Sequence, residues 1–202
     1  MPQTAAPRYE QQKLAAVKAA ANVFAEHGYH GASTTLIAEA MGIKQASLYY
    51  YFKSKQAALA EVCLYGLQDY VERLQTIAQA SQPFAAQILA VFSAHLSAYR
   101  ERDEALKVYN DERLYLPEEA RTEIKELGSR YRQELEAMLE RAVTAGDVRA
   151  DIDCHFAAQA IIGIGNAWGD LIVRDPDLDI ILLAQKCADM LMNGFGNRAK
   201  NN

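Results

Sequence analysis

The stretch that decides the fold runs from Thr34 to Leu59 and reads "TTLIAEAMGIKQASLYYYFKSKQAAL". Two short apolar-periodic segments are separated by Gly42, which can take a positive φ without a Cβ penalty. Ala38 is small enough to let two helices nearly touch, and Leu48 lies where a second helix would face inward. This spacing predicts a helix-turn-helix, although an ordinary helical hairpin with a glycine turn has the same outline.

Three consecutive tyrosines precede Phe52, and they cannot all face a core. If Leu48 and Phe52 face inward at i and i+4, the rings between them spread around the turn and at least two are exposed. An exposed tyrosine suits a phosphate or a thymine methyl. In the turn before the tyrosines, which would enter a major groove, Gln45 can bond an adenine edge and Lys44 can reach guanine or phosphate.

The rest of the chain is also predicted to be helical, because apolar residues recur at helical spacing almost throughout. The first helix should end at Gly28, a common C-terminal signal. A single long helix is predicted from Ser54 to about Ser81. Later helices are predicted over residues 83–100, 106–114, 118–146, 152–174 and 178–193.

Charge is distributed unevenly along the 202 residues, of which 50% are apolar. The net charge is −5, yet residues 1–55 carry six basic and three acidic side chains, and the rest carries 15 basic and 23 acidic ones. A basic N-terminal segment on an otherwise acidic chain indicates that this segment binds a polyanion. Chance scatter of solvated charges is the alternative.

The cysteines and the N-terminus predict a cytoplasmic protein. Three cysteines form no C-x-x-C pair, so reduced thiols are expected. Charged residues interrupt the apolar N-terminal segment, which argues against a signal peptide. The longest uncharged stretch, 154–169, is too short to span a bilayer, so no membrane partner is expected.

No pattern of catalytic or cofactor-binding residues stands out. Asp151, Asp153, Cys154 and His155 carry metal-ligand atoms without zinc or EF-hand spacing, and helix capping explains the aspartates better. A G-x-G at Gly163 lies inside a helical pattern with no strand before it, so it does not indicate a nucleotide loop. We therefore expect no metal, no cofactor and no enzymatic activity.

The quoted stretch resembles the signature of the TetR family of bacterial transcriptional regulators, over about residues 10–60. The resemblance implies a homodimer that binds a palindromic double-stranded DNA operator, most often as a repressor, and leaves it when a small molecule enters the C-terminal domain. Two positions depart from the family pattern: Tyr51 stands where histidine is frequent, and Ala46 where glycine is frequent. By position, the family's DNA contacts carry over to Thr34, Thr35, Lys44, Gln45, Ala46, Ser47, Tyr49, Tyr50, Tyr51 and Lys55.

The predicted fold class is therefore all-α. Residues 1–53 should form a three-helix helix-turn-helix DNA-binding domain, and residues 54–202 a helical ligand-binding and dimerisation domain. The last two helices are predicted to form the dimer interface, because Gly165 and Gly169 lie four apart in a small, apolar stretch that permits close approach. Packing of both helices inside one core is the alternative.

Aromatic residues of the middle helices are candidates for the effector pocket, although such a stripe is more often core. His95, on an apolar face, is more commonly a hydrogen-bonded core histidine. The candidates are Phe92, His95, Tyr99, Tyr109, Arg113, Tyr131 and Trp168. The stretch "AGDVRADID" (145–153) with the following helix resembles family members that sense acyl-CoA thioesters, so a small hydrophobic or acyl-CoA-like effector is expected. An all-helical enzyme using a pocket around His95, and an adaptor whose exposed rings dock another protein, remain open as alternatives.

Overall fold

The structure, a computed structural model, describes residues 8–195, and it contains no β-strand in that range. The predicted all-α fold class is confirmed. The α-helices are α1 (Arg8–Gly31), α2 (Thr34–Ala40), α3 (Gln45–Leu48), α4 (Lys55–Leu67), α5 (Tyr70–Gln79), α6 (Phe84–Glu101), α7 (Asp103–Glu112), α8 (Glu118–Ala145), α9 (Cys154–Arg174) and α10 (Ile180–Phe195). A 3-10 turn, Arg113–Tyr115, follows α7.

The segment predicted as one long helix from Ser54 to Ser81 is instead two helices, α4 and α5. The break lies at Asp69, which adopts a left-handed conformation (φ 67°, ψ −4°) and is the only non-glycine residue with positive φ in residues 8–195. Asp is one of the few residues other than glycine whose backbone adopts the left-handed conformation. The apolar spacing continues across the break, so periodicity alone could not reveal it.

Two compact units divide the chain. The head unit comprises the residues up to Leu67 together with Arg102–Ile124. The body unit comprises Gln68–Glu101 together with the residues from Lys125 on. The sequence predicts instead a DNA-binding domain that ends at residue 53 and a ligand-binding and dimerisation domain that begins at residue 54. This division by function stays a prediction.

The head unit is built around the buried face of α1. Phe24 and the alanines one turn apart before it pack against apolar residues of α4 and α7. An added Cβ on Gly66 of α4 would lie 3.2 Å from the carbonyl carbon of Ala105 in α7, so these helices pack closely. Gly28 leaves the helical conformation (φ 65°, ψ 173°), so α1 is kinked at the residue where its end was predicted and continues beyond the kink to Gly31.

The body unit packs α6 against α9 and α10. Gly165 and Gly169 of α9 face α6: an added Cβ on Gly165 would lie 2.7 Å from the ring of His95, and one on Gly169 would overlap the ring of Tyr99. These glycines therefore serve close packing within one chain, the alternative that the sequence left open. They are not the residues that a dimer contact would use.

Helix α9 is longer than the uncharged stretch within it, since it continues to Arg174. Among the described residues it is the one helix whose length and composition would allow it to cross a bilayer, with a mean hydropathy of 1.3. The uncharged stretch alone therefore underestimates the length of this apolar helix. Core helices, which are mostly buried, pass the same test, whereas 33% of the apolar window of α9 is buried.

Candidate nucleic-acid interface and effector region

The turn between α2 and α3 is a glycine-terminated helix end. The N–H of Gly42 donates to the carbonyl of Glu39 (2.9 Å), and the N–H of Ile43 donates to the carbonyl of Ala38 (3.0 Å). This pair of bonds forms a Schellman motif, which needs a left-handed residue where Gly42 has φ 67°. A Cβ on Gly42 would meet nothing within 4 Å, so backbone conformation rather than space requires glycine here.

The inner face of the helix-turn-helix is packed as predicted. Ile37 and Ala38 of α2, Leu48 of α3 and Phe52 are all buried in the core of the head unit. These contacts fix the crossing of α2 and α3. The predicted helix-turn-helix is thus confirmed as a packed element.

Helix α3 is only one turn long. The chain goes on as turns, in which the N–H groups of Tyr51 (2.8 Å) and Phe52 (3.0 Å) both donate to the carbonyl of Leu48. All four residues before Leu48 are exposed, namely Lys44, Gln45, Ala46 and Ser47. A polar, solvent-facing turn therefore stands on a buried base.

One of these exposed side chains, that of Gln45, is hydrogen-bonded to the first residue of α2. Nε2 of Gln45 donates to Oγ1 of Thr34 (2.9 Å), while Oγ of Ser33 caps α2 by accepting from the N–H of Leu36 (3.1 Å). A glutamine amide has two N–H donors and an oxygen acceptor. The bond to Thr34 uses one donor. The other N–H and the oxygen remain, and together they match the donor and acceptor of an adenine edge. Thr35 is exposed beside Thr34.

The tyrosine run divides as the helical spacing predicts. Tyr49 is 52% exposed and Tyr50 71% exposed, whereas Tyr51 is half-buried and donates its hydroxyl to Oε1 of Gln12 (3.3 Å). The prediction that at least two of the rings are exposed is confirmed. Tyr51 faces α1 instead.

Three residues of α1 that the sequence did not indicate as part of the site contact this region. Lys13 donates to the carbonyl of Tyr51 (2.7 Å), with its Nζ 4.5 Å from the ring centroid of Phe52. Tyr9 packs edge-on against Tyr50 (centroids 5.5 Å apart), and Gln12 accepts the hydroxyl of Tyr51. Their spacing of three and four residues along α1 was the available signal, because it places them on one helix face.

Lys55 is also engaged inside the head unit. Its Nζ donates to the carbonyls of Tyr29 (2.7 Å) and Ala32 (3.0 Å) and lies 4.4 Å from the ring centroid of Tyr29. One of its three N–H donors remains. A phosphate contact by Lys55 stays a prediction, beside a structural role that the sequence did not indicate.

The candidate effector residues do not all come together. Phe92, His95, Tyr99, Tyr131 and Trp168 belong to the body unit, whereas Tyr109 and Arg113 belong to the head unit. Within the head unit the guanidinium of Arg113 lies 5.8 Å from the ring centroid of Tyr109. The combined set of seven residues stays a prediction.

His95 is the centre of a buried polar network. It is 7% exposed, its Nε2 donates to Oδ1 of Asn166 (3.1 Å), and its Nδ1 accepts from the hydroxyl of Tyr131 (3.4 Å). Asn166 Oδ1 also accepts from the hydroxyl of Tyr99 (3.3 Å). Burial lowers the pKa of His95 to about 4, against a raising effect of the bond to Asn166, so the ring is neutral near pH 7.

The space beside His95 is small. A cavity of about 10 Å³ adjoins it, lined also by Tyr70, Arg73 and Leu74. That volume corresponds to roughly one water molecule. This arrangement is a packed core rather than an open substrate pocket.

The last two helices carry most of the large apolar side chains that remain exposed in the body unit. They are Phe156, Leu171, Ile181, Leu182 and Met190. Between α9 and α10 runs an open groove of about 270 Å³ that Trp168, Leu182 and Met190 help to line. Exposed apolar side chains beside such a groove are typical of an interaction site.

A packed helix-turn-helix with an exposed polar turn, followed by further helices, defines the chain as a member of the helix-turn-helix class of DNA-binding proteins. Residues 16–62 match the family described as bacterial regulatory proteins, tetR family, and residues 81–195 match the tetracyclin repressor-like C-terminal domain. The chain belongs to the TetR family of bacterial transcriptional regulators.

Individual relatives agree with this assignment. The chain is 25% identical to the fatty acid metabolism regulator protein of Bacillus subtilis over 95% of its own length and 97% of that protein. It is 31% identical to the HTH-type transcriptional repressor KstR2 of Rhodococcus jostii over 68% of each chain. The crystal structure of FadR from Bacillus subtilis in complex with stearoyl-CoA superimposes with a TM-score of 0.75 at 24% identity, covering 90% of this chain and 98% of that one, which supports the fold.

Proposed function

We propose that this protein is a homodimeric repressor that binds a palindromic operator and leaves it when an acyl-CoA-like effector binds the body unit. The observation that carries the proposal is the exposed turn from Lys44 to Ser47, which stands on a fully buried helix-turn-helix base. Exposed polar side chains at the N-terminus of a recognition helix are the ones that reach base edges in a major groove. The assignment as a regulator rather than an enzyme rests on the same surface and on the family.

The proposed DNA-contacting residues are of two kinds, those that contact base edges and those that contact phosphates. Gln45, oriented by Thr34 with one N–H and its oxygen still available, suits an adenine edge. Lys44 suits guanine or phosphate, and Ala46 allows close approach of the backbone. Hydroxyls of Tyr49 and Tyr50 suit phosphates, and Thr34, Thr35, Ser47, Tyr51 and Lys55 complete the set proposed from the family pattern.

One head can contact few base pairs, because α3 has a single turn. Two heads in a symmetric dimer would read two half-sites, so operator symmetry would mirror protein symmetry. The exposed apolar residues of α9 and α10 support a dimer contact there. The same contact would cover the apolar face of α9, which supports a cytoplasmic regulator rather than a membrane helix.

The effector is proposed to enter the region of Phe92, His95, Tyr99, Tyr131 and Trp168 in the body unit. The relatives named for fatty acid metabolism and solved with stearoyl-CoA support a thioester with an apolar chain. Because the cavity beside His95 is about 10 Å³, such a chain needs a second, more open arrangement of the body unit. A ligand that favours one arrangement and DNA that favours the other would weaken each other's binding reciprocally.

The test begins with selection of bound duplexes from a pool with a randomised centre, followed by titration of the enriched sequence against salt. We expect a palindromic sequence and an affinity that falls steeply with salt, because phosphate contacts release counterions. Lys44→Ala should lower the salt slope by about one per head, whereas Lys125→Ala, an exposed lysine of α8, should not. Absence of enrichment, or equal slopes for both variants, would contradict the proposal.

The effector is tested on the same complex. Stearoyl-CoA should release the selected duplex, while free coenzyme A at the same concentration should not. Shorter acyl chains should act more weakly, since each buried methylene contributes about 0.8 kcal/mol. Unchanged DNA affinity with every acyl-CoA would reject this class of effector and leave the DNA-binding proposal intact.

A further inference from the structure

The recognition helix cannot hold its own position. Helix α3 has four residues, and the residue before it, Lys44, makes no side-chain capping bond. A single helical turn is unstable alone, because its nucleation cost is not offset by propagation. Its geometry is therefore imposed by neighbouring elements, and Tyr49 and Tyr50, which follow it, are exposed.

The first two turns of α1 supply neighbours on the outer side. Lys13 bonds the carbonyl of Tyr51, and Gln12 accepts the hydroxyl of Tyr51. Tyr9, one turn earlier on the same face, contacts two rings: it lies edge-on to Tyr50 (5.5 Å, 88°) and stacks on Tyr51 (6.3 Å, 21°). Tyr50 and Tyr51 are themselves edge-on (5.5 Å, 83°).

These three rings form what we call the tyrosine cluster, consisting of Tyr9, Tyr50 and Tyr51. All its centroid distances and its edge-on angles lie in the range of favourable aromatic pairs. Tyr51 is fixed by its hydroxyl bond and its backbone, so it is the rigid member. Tyr50 is 71% exposed, and its ring makes edge-on contacts with the rings of both Tyr9 and Tyr51.

We propose that Tyr9 is a positioning residue for DNA binding, whose ring holds Tyr50 in the orientation that presents its hydroxyl to the duplex. The inference rests on the proposed operator binding. A side chain that is already ordered loses less conformational entropy on binding, so this contact raises affinity without touching DNA. The role requires the ring of Tyr9 and not its hydroxyl.

The test measures affinity of Tyr9→Ala, Tyr9→Phe, Tyr50→Ala and the double variant for the duplex selected by the wild-type protein. Tyr9→Ala should weaken binding by roughly 2- to 10-fold per head, the value of one aromatic pair. Tyr9→Phe keeps the ring and should bind as the wild type does. In the Tyr50→Ala background, Tyr9→Ala should have no further effect, because the positioned side chain is gone.

Three outcomes would overturn the inference. They are wild-type affinity in Tyr9→Ala, a loss in Tyr9→Phe equal to that in Tyr9→Ala, which would make the Tyr9 hydroxyl a direct contact to DNA, and additive losses in the double variant. Thermal unfolding of each variant shows whether the protein is folded at the assay temperature. If Tyr9→Ala is not folded at that temperature, Tyr9→Leu replaces it and is judged by the same criteria. Lys44→Ala is the reference: if it weakens binding while Tyr9→Ala does not, only the positioning role is rejected, and if the wild-type protein selects no duplex, operator binding itself is rejected.

Discussion

The imidazole of His95 lies directly against Gly165, so closely that an added Cβ would stand 2.7 Å from the ring. The bond from His95 to Asn166, one residue further along α9, needs this approach. Gly165→Ala should therefore force the helices apart or move the ring, with a loss of about 1–3 kcal/mol in the free energy of unfolding. Urea unfolding of the variant and the wild type measures the difference.

Gly128→Ala is the matched control. Gly128 lies exposed in the middle of α8, and an added Cβ would meet nothing within 4 Å. Because alanine favours helix over glycine, this variant should gain up to about 1 kcal/mol. Opposite signs for the two substitutions are expected, and a stabilising Gly165→Ala would contradict the close packing.

Acid should destabilise the protein through His95. Burial lowers the folded-state pKa of His95 from 6.5 to about 4, so between these values the unfolded chain binds more protons than the folded one. The stability contributed by neutral His95 is complete above pH 6.5 and is lost as the pH falls towards 4, to a total of about 3 kcal/mol. Unfolding free energies measured across this window should show a steeper decline for the wild type than for His95→Gln, and parallel curves would contradict the shift.

The sequence predicted the helix-turn-helix of the head unit, because its signals are local. Glycine conformation and apolar spacing located Gly42, Leu48 and Phe52 correctly, and the exposure of at least two of the three tyrosines followed from the same helical geometry. The break at Asp69 escaped, because the apolar spacing runs through it and the left-handed backbone leaves no mark on periodicity.

Contacts between segments that are distant along the chain could not be predicted from the sequence either. Lys13 and Lys55 both appeared as part of a basic N-terminal segment, yet each donates to backbone carbonyls that lie more than 20 residues away in the chain. The sequence offers Tyr109 and Arg113 as pocket candidates together with His95, but both belong to the head unit. Such pairings depend on tertiary packing, for which a single sequence carries no direct signal.

The exposed apolar surface of α9 and α10 gives a prediction about assembly. Ile181→Glu places a charge on a side chain that is 72% exposed in one chain, so it should cost a monomer little. In a dimer that uses this surface the charge would be buried without a partner and should dissociate the subunits. Sedimentation velocity should show a shift from dimer to monomer, whereas Leu114→Glu, which alters an 80% exposed leucine of the head unit, should remain dimeric. A dimeric Ile181→Glu protein would place the interface elsewhere.

Gly42 offers a test of the turn that is separate from packing. Alanine has room there but not the backbone conformation, since φ is 67°, and it should lose about 1–2 kcal/mol of stability. Asparagine tolerates the left-handed region better, so Gly42→Asn should lose less. Comparison of the two melting temperatures checks the order, and a greater loss for Gly42→Asn would mean that space, rather than φ, decides the residue.

Lys55 distinguishes structural support from DNA contact. Two of its N–H donors bond the carbonyls of Tyr29 and Ala32, so Lys55→Met, which keeps the apolar stem, should lower stability by about 1–2 kcal/mol. Where both proteins are folded, its DNA affinity should show a salt slope lower by about one per head, as for Lys44→Ala, because one N–H of the ammonium remains for a phosphate. An unchanged, wild-type slope would instead mean that Lys55 only supports the head unit. The two measurements are independent, because unfolding reports the carbonyl bonds and the salt slope reports only charges that displace counterions from DNA.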